Sequence, residues 1–227
     1  MIEFLFLDLD DTILDFHKAE RIALSKTLQH FGIEPTDAVC TLYSEINKAH
    51  WHRLEKKELT REQVLLGRFE TLFSQLGVSA EARVCADTYE GFLSQGHYFL
   101  PGALEALEKL HGKYRLFLAS NGTARVQAGR LKSAGIGGYF EKIFISQEIG
   151  ADKPAKEYFD GCFAQIPNFS PEHAMMVGDS LSSDILGGMQ AGMLTCWVNP
   201  THAKGSIAAD YEIEGIHQLY DLLEKIS

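Results

Sequence analysis

The segment "FLFLDLDDTI" (residues 4–13) runs four apolar residues straight into three carboxylates within four positions. An apolar run without alternation suits a strand of a parallel sheet that is covered on both faces. The carboxylates behind it pose a physical problem. Two ionised carboxylates about 4 Å apart repel by roughly 4 kcal/mol at an effective dielectric near 20, so the crowding needs an offset.

Similar runs recur at "YRLFLAS" (114–120), "KIFIS" (142–146), "AMMVGD" (174–179) and "MLTCWVN" (193–199). Between them, "ALEALEKL" (103–110), "ARVQAGRLKSAG" (124–135), "KEYFDGCFAQI" (156–166) and "SDILGGMQAG" (183–192) carry apolar residues at helical spacing, two of them ending at glycines suited to stop a helix. Strand and helix in alternation predict an α/β fold with a parallel sheet. Residues 15–98 break the rhythm. They hold no comparable strand and read as consecutive amphipathic helices, with breaks at "GIEPTD" (32–37) and "LGVSAEA" (76–82) and a capping box at Thr60 and Gln63. The expected organisation is an α/β core of residues 1–14 and 99–227, with a helical insertion at 15–98 after the first strand.

The 227 residues and 45% hydrophobic content are enough for a sizeable core. A net charge of −10 without a Lys/Arg cluster argues against a nucleic-acid polymer as partner, while a small anionic substrate stays possible where local charge is positive. The four cysteines at 40, 85, 162 and 196 form no C-x-x-C and no metal-ligand spacing, which fits buried thiols in a reducing compartment. The first apolar run has no basic n-region and is too short for a signal peptide or a membrane span. The expectation is a soluble cytoplasmic protein without a membrane partner.

Ligands of open α/β sheets bind at the carboxyl ends of strands. Asp8 and Asp10 follow the first strand, Ser120 ends the second, and "GADKP" with Lys153 follows the third. "MMVGD" ends in Asp179, with Asp184 five residues on. Taken singly, each has a plain structural reading: a polar loop, a helix N-cap at Asp179 or Ser120, a solvated surface lysine. Their joint order at successive strand ends is not explained that way.

That order resembles the haloacid dehalogenase superfamily of phosphotransferases. "DLDDT" (8–12), "FLASNG" (117–122), "KP" (153–154) and "GDSLSSD" (178–184) match its four motifs in order, and the helical insertion matches its cap. The resemblance implies a Rossmann-like parallel sheet core flanked by helices, with an inserted all-helical cap domain. Within the insertion, "NKAHW" (47–51) and "GRFE" (67–70) resemble the bacterial pyrimidine 5'-nucleotidase branch, which acts on nucleoside monophosphates. Asp8 is then the nucleophile that takes the phosphoryl group as an aspartyl phosphate. Asp10 would protonate the leaving oxygen and later deprotonate water, a task favoured by neighbouring carboxylates. Ser120, Lys153 and the Asn121 backbone N–H would stabilise charge on the transferring oxygens, and Thr12 would brace the loop.

Attack by a carboxylate on a phosphate dianion brings like charges together at a cost of roughly 8 kcal/mol at 4 Å and a dielectric near 20. A hard divalent cation is the natural offset, and Mg²⁺ typically takes one or two carboxylates plus substrate phosphate. Asp8 and Asp179 would supply the carboxylates; by resemblance, the Asp10 main-chain carbonyl is a third ligand and Asp184 holds a metal-bound water.

Rival readings share this core. A phosphatase of another small metabolite, such as a sugar phosphate or phosphoglycolate, or a phosphomutase uses the same residues. The dehalogenase branch would leave Asp10 without a task, because halide departs without a proton. A receiver domain takes its phosphoacceptor Asp from a later strand, and none ends "YRLFLAS". "HWH" (50–52) lacks a third ligand at helical spacing, and "GIGGYF" (135–140) lacks the third glycine and the preceding strand of a dinucleotide fingerprint. Trp51, Phe69 and Phe73 could stack a nucleobase, but bundle core is the expected role for aromatics on insertion helices.

Overall fold

The computed structural model describes residues 1–226. Its strands are β1 (Phe4–Leu7), β2 (Arg115–Ser120), β3 (Lys142–Ile145), β4 (Ala174–Gly178), β5 (Leu194–Val198) and β6 (Tyr211–Ile213). They form one parallel sheet in the order β3-β2-β1-β4-β5-β6. Alternation within β1 explains why its run is wholly apolar. Phe4 and Phe6 join Phe117, Phe144 and Phe159 under one face of the sheet, and Leu5 and Leu7 join Leu118 and Val177 under the other. Both faces are core. Leu7 sits opposite Leu118 and Val177, so the chain leaves β1, β2 and β4 along a common rim.

The first four helices are α1 (Phe16–His30), α2 (Asp37–Glu55), α3 (Arg61–Leu76) and α4 (Ala82–Leu93), all between β1 and β2. The capping box is present: Thr60 Oγ1 accepts from the Gln63 N–H at 3.3 Å and Gln63 Oε1 accepts from the Thr60 N–H at 2.8 Å. α1 packs on α4, α2 on α3, and α3 on α4, around a core that includes Tyr43, Phe69, Leu72 and Tyr89. The two chain crossings are tied together by the Asp15 N–H to Tyr98 O bond (2.8 Å) and the Leu100 N–H to Ile13 O bond (3.0 Å).

The remaining helices are α5 (Ala103–Leu110), α6 (Ala124–Ala134), α7 (Ser146–Ile149), α8 (Lys156–Phe163), α9 (Leu186–Gln190) and α10 (Leu219–Ile226). Gly135 ends α6 with φ +71°, so the first glycine of "GIGGYF" is a helix stop, and Gly137–Tyr139 form a 3-10 turn after it. The "SDILGGMQAG" segment departs from a plain α-helix, because Leu181–Ile185 forms a π-helical turn before α9. Its N-cap is Ser180, whose Oγ accepts from the Ser183 N–H at 3.2 Å; Asp179 is therefore not the cap. All four cysteines are buried free thiols. Among the described residues, no helix is long and apolar enough to cross a membrane.

Candidate active site

The strand ends converge. Asp8 stays in the ladder through its N–H bond to Val177 O (2.9 Å), which fixes its side chain at the rim. Lys153 is 1% exposed, the opposite of a solvated lysine. Its Nζ donates to Asp8 Oδ1 at 2.8 Å, Asp184 Oδ1 at 2.6 Å and the Ala119 carbonyl at 2.6 Å. Asn121 holds the lysine backbone from both sides, accepting from its N–H at 2.8 Å and donating to its carbonyl at 2.9 Å. Asp184 also accepts from the Ser180 N–H at 3.1 Å. Gly178 has to be glycine for this carboxylate to lie where it does, since a Cβ there would collide with Asp184 Oδ2.

Carboxylate oxygens of Asp8, Asp179 and Asp184 all lie within 4.8 Å of one another. Three carboxylates and the Lys153 ammonium leave two negative charges, which a single divalent cation balances. An all-oxygen donor set is the type that hard cations such as Mg²⁺ take. The residues present fit the ion.

Electrostatics carry the mark of that crowding. Burial, opposed by Lys153 and reinforced by Asp184 and Asp10, pushes the Asp8 carboxyl up to about 7. Burial together with Asp184, Asp8 and Asp11 raises Asp179 well above the ordinary carboxylate range. Burial draws Lys153 down, but Asp184 and Asp8 outweigh it and hold the ammonium above its usual value.

Asp10 has company that the sequence reading did not foresee. Arg130 Nη1 donates to its Oδ1, and Gln127 Nε2 donates to its Oδ2 at 2.7 Å. The same Gln127 nitrogen donates to Ser120 Oγ at 2.8 Å, so one amide links the first two strand ends. Arg130 in turn fixes the amide by donating to Gln127 Oε1 at 3.2 Å. Asp10 thus faces a cation as well as carboxylates. Ser120 Oγ accepts from the Gly122 N–H at 3.1 Å, within the loop, and does not cap α6. Thr12 is fully buried, but its hydroxyl has no partner among the described residues, so it supports the loop by packing alone.

The insertion roofs this edge. Arg61 donates to the carbonyls of Asn121 (2.8 Å) and Gly122 (3.3 Å) and to Ser146 Oγ (2.6 Å), and pairs with Asp152 next to Lys153. Ser182 donates to Glu55 at 2.9 Å and Thr123 to Glu90 at 3.3 Å. Beneath the roof lies a cavity of about 260 Å³, lined by Asp8, Asp10, Ser120, Asn121, Lys153, Asp179 and Asp184 and, from the insertion, by Trp51, Leu65 and Arg68. The three aromatics of the insertion therefore part ways. Phe69 and Phe73 are bundle core, as expected, whereas Trp51 faces the cavity. His50 and His52 bond instead to Ile46 O (2.8 Å) and Glu55 (3.4 Å).

The family model of haloacid dehalogenase-like hydrolases matches residues 5–198. The chain belongs to that family and is a hydrolase. It is 38% identical over 96% of its length to HAD-hydrolase YfnB of Bacillus subtilis, covering 94% of that protein. It is also 37% identical to pyrimidine 5'-nucleotidase PynA of Streptococcus pneumoniae, over 98% of this chain and 95% of that one. For pyrimidine 5'-nucleotidase YjjG of Escherichia coli the identity is 31%, over 98% of each. A crystal structure of YfnB bound to magnesium superposes with a TM-score of 0.94 at 37% identity, over 98% of this chain and 99% of that one.

Proposed function

We propose that the chain is a Mg²⁺-dependent phosphomonoester hydrolase that works through an aspartyl phosphate on Asp8, with pyrimidine nucleoside monophosphates as its substrate class. The observation that carries this reading is the Lys153 ammonium held between Asp8 and Asp184, beside a carboxylate triad that calls for one divalent cation. Asp8, Asp179 and Asp184, with the Asp10 carbonyl, would hold Mg²⁺, which when bound offsets the charge of the phosphoryl group against the carboxylates. Residues 15–98 act as a cap domain over the core of residues 1–14 and 99–227.

Lys153 occupies Asp8 Oδ1, which leaves Oδ2 to attack phosphorus. The new P–O bond forms as the ester P–O bond breaks, and the departing alkoxide takes the Asp10 proton. Ser120, Asn121 and Lys153 bind the transferring oxygens. Arg130 and Gln127 steady the carboxylate left on Asp10. That carboxylate then takes a proton from water as its oxygen attacks the aspartyl phosphate, releasing phosphate and restoring Asp8.

Support for the nucleotide class comes from the insertion. "NKAHW" and "GRFE" meet in space through the Arg68 Nη1 to Asn47 Oδ1 bond at 3.0 Å, beside the cavity. Phosphate release should be measured from dUMP, dTMP, sugar phosphates and phosphoglycolate, with Mg²⁺ and with EDTA. The expected result is release from the nucleotides foremost, abolished by EDTA. Faster release from phosphoglycolate or a sugar phosphate would replace the substrate class, and EDTA-resistant release would remove the metal.

A further inference from the structure

The insertion lines the cavity with Trp51, Leu54, Leu65 and Leu93, together with Glu55 and Glu90. One cation enters it from the insertion. Arg68 is 2% exposed, an expensive place for a guanidinium unless its donors are used. Its Nη1 donates to Asn47 Oδ1 at 3.0 Å, its Nε to the Leu65 carbonyl at 3.3 Å, and its guanidinium carbon lies 4.8 Å from the centre of the Tyr89 ring. Asn47 is itself fixed, donating to Glu20 Oε1 at 2.7 Å, while Ser44 donates to Oε2 at 2.7 Å. Glu20, Asn47 and Arg68 thus form a relay from the bundle interior to the cavity wall.

Two features of the relay define what it can take. Nη2 makes no hydrogen bond to the described residues and is not sealed from solvent, so a donor pair is left for a ligand acceptor. The Arg68 charge is already answered by buried Glu20 through Asn47, so the complement is a neutral acceptor and not a second anion. A carbonyl on a flat ring meets both conditions; the carboxylate of phosphoglycolate or a second phosphate does not.

We infer that Arg68 is a specificity-determining residue that donates through Nη2 to a ring carbonyl of the pyrimidine base, with Asn47 and Glu20 positioning it. This assignment rests on the nucleotidase reading above. It gives the buried polar relay a task that packing alone does not, because Arg68 and Glu20 could be replaced by apolar side chains in a bundle that served only as a lid.

The test compares kcat/KM for dUMP with that for 2-deoxyribose 5-phosphate, which carries the same phosphoester and sugar without the base. The wild-type protein is expected to favour dUMP. Arg68→Met should lower the dUMP to deoxyribose-phosphate ratio by about 10- to 100-fold, the range for a hydrogen bond from a charged donor. Asn47→Ala leaves the guanidinium but removes its anchor. It should lower the same ratio less, chiefly through KM, and it carries the test if Arg68→Met does not fold. An equal loss on both substrates in the variants would reduce Arg68 to a structural residue and overturn the assignment. A wild-type protein that hydrolyses deoxyribose 5-phosphate as well as dUMP would also overturn it while leaving the phosphatase reading standing. Turnover of neither ester would overturn both.

Discussion

Asp8→Asn should abolish phosphate release from every phosphomonoester the wild-type protein accepts, by a factor on the order of 10⁴ or more. The substitution keeps the shape of the side chain but removes the attacking oxygen anion, and no second carboxylate is placed to replace it. Asp10 is engaged by Arg130 and Gln127, Asp184 by Lys153 and the Ser180 N–H, and Asp179 would be taken up by the cation. The fold should survive, because Asp8 is bound into the sheet by its backbone and because a neutral group avoids the cost of burying a charge, which with the repulsion of Asp184 and Asp10 lifts its carboxyl to about 7. Steady-state assays together with a melting curve check both halves. Substantial turnover in a folded Asp8→Asn protein would remove Asp8 as nucleophile.

Asp179→Asn should act in opposite directions on stability and on metal response. In the native protein without metal, the Asp179 carboxyl sits well above the value of 3.8 usual for an unfolded aspartate, because burial and then Asp184, Asp8 and Asp11 oppose its charge. The native state therefore holds a proton that the unfolded chain has released, and stability falls as pH rises from about 4 through the native value. In EDTA, wild-type protein is expected to melt progressively lower across that window. Asp179→Asn should melt higher than wild type at neutral pH, by roughly 2–4 °C for each kcal/mol of repulsion relieved in a chain of this size. Mg²⁺ should reverse the order. Wild type gains stability on binding, about 2.7 kcal/mol at a hundred times the dissociation constant, and the variant gains little. A lower melting temperature for Asp179→Asn in EDTA would deny that the carboxylates are crowded at cost. An unchanged response to Mg²⁺ would deny that Asp179 is a ligand.

Much of the sheet could be read from the sequence because its central strands are buried on both faces, so β1, β2 and β4 appear as unbroken apolar runs. β6 offered no such signal: it is three residues long at the edge of the sheet, and only Ile213 is buried. The residues gathered around Asp8 were legible because each stands at a strand end, where the fold class alone predicts convergence. Gln127 and Arg130 were not, although both share the buried face of α6 with Val126 and Leu131. Their polarity disguised that face, and the partner that explains it, Asp10, lies 120 residues from Arg130 in the chain. Arg61 was hidden in the same way, since its contact with Asp152 spans 91 residues. Trp51 shows the limit of helical spacing, which marks apolar positions but does not separate a residue facing a cavity from one facing a bundle core, as Phe69 does.

The most direct measurement is rapid-quench capture of the chain during turnover of a nucleotide labelled in its phosphoryl group, with Mg²⁺ present. Label should appear on the peptide that contains Asp8, build up before free phosphate does, and be missing from Asp8→Asn. Full turnover by the wild-type protein with no chain-bound phosphate at any quench time would mean that water attacks the ester directly and that the cluster around Asp8 serves another purpose.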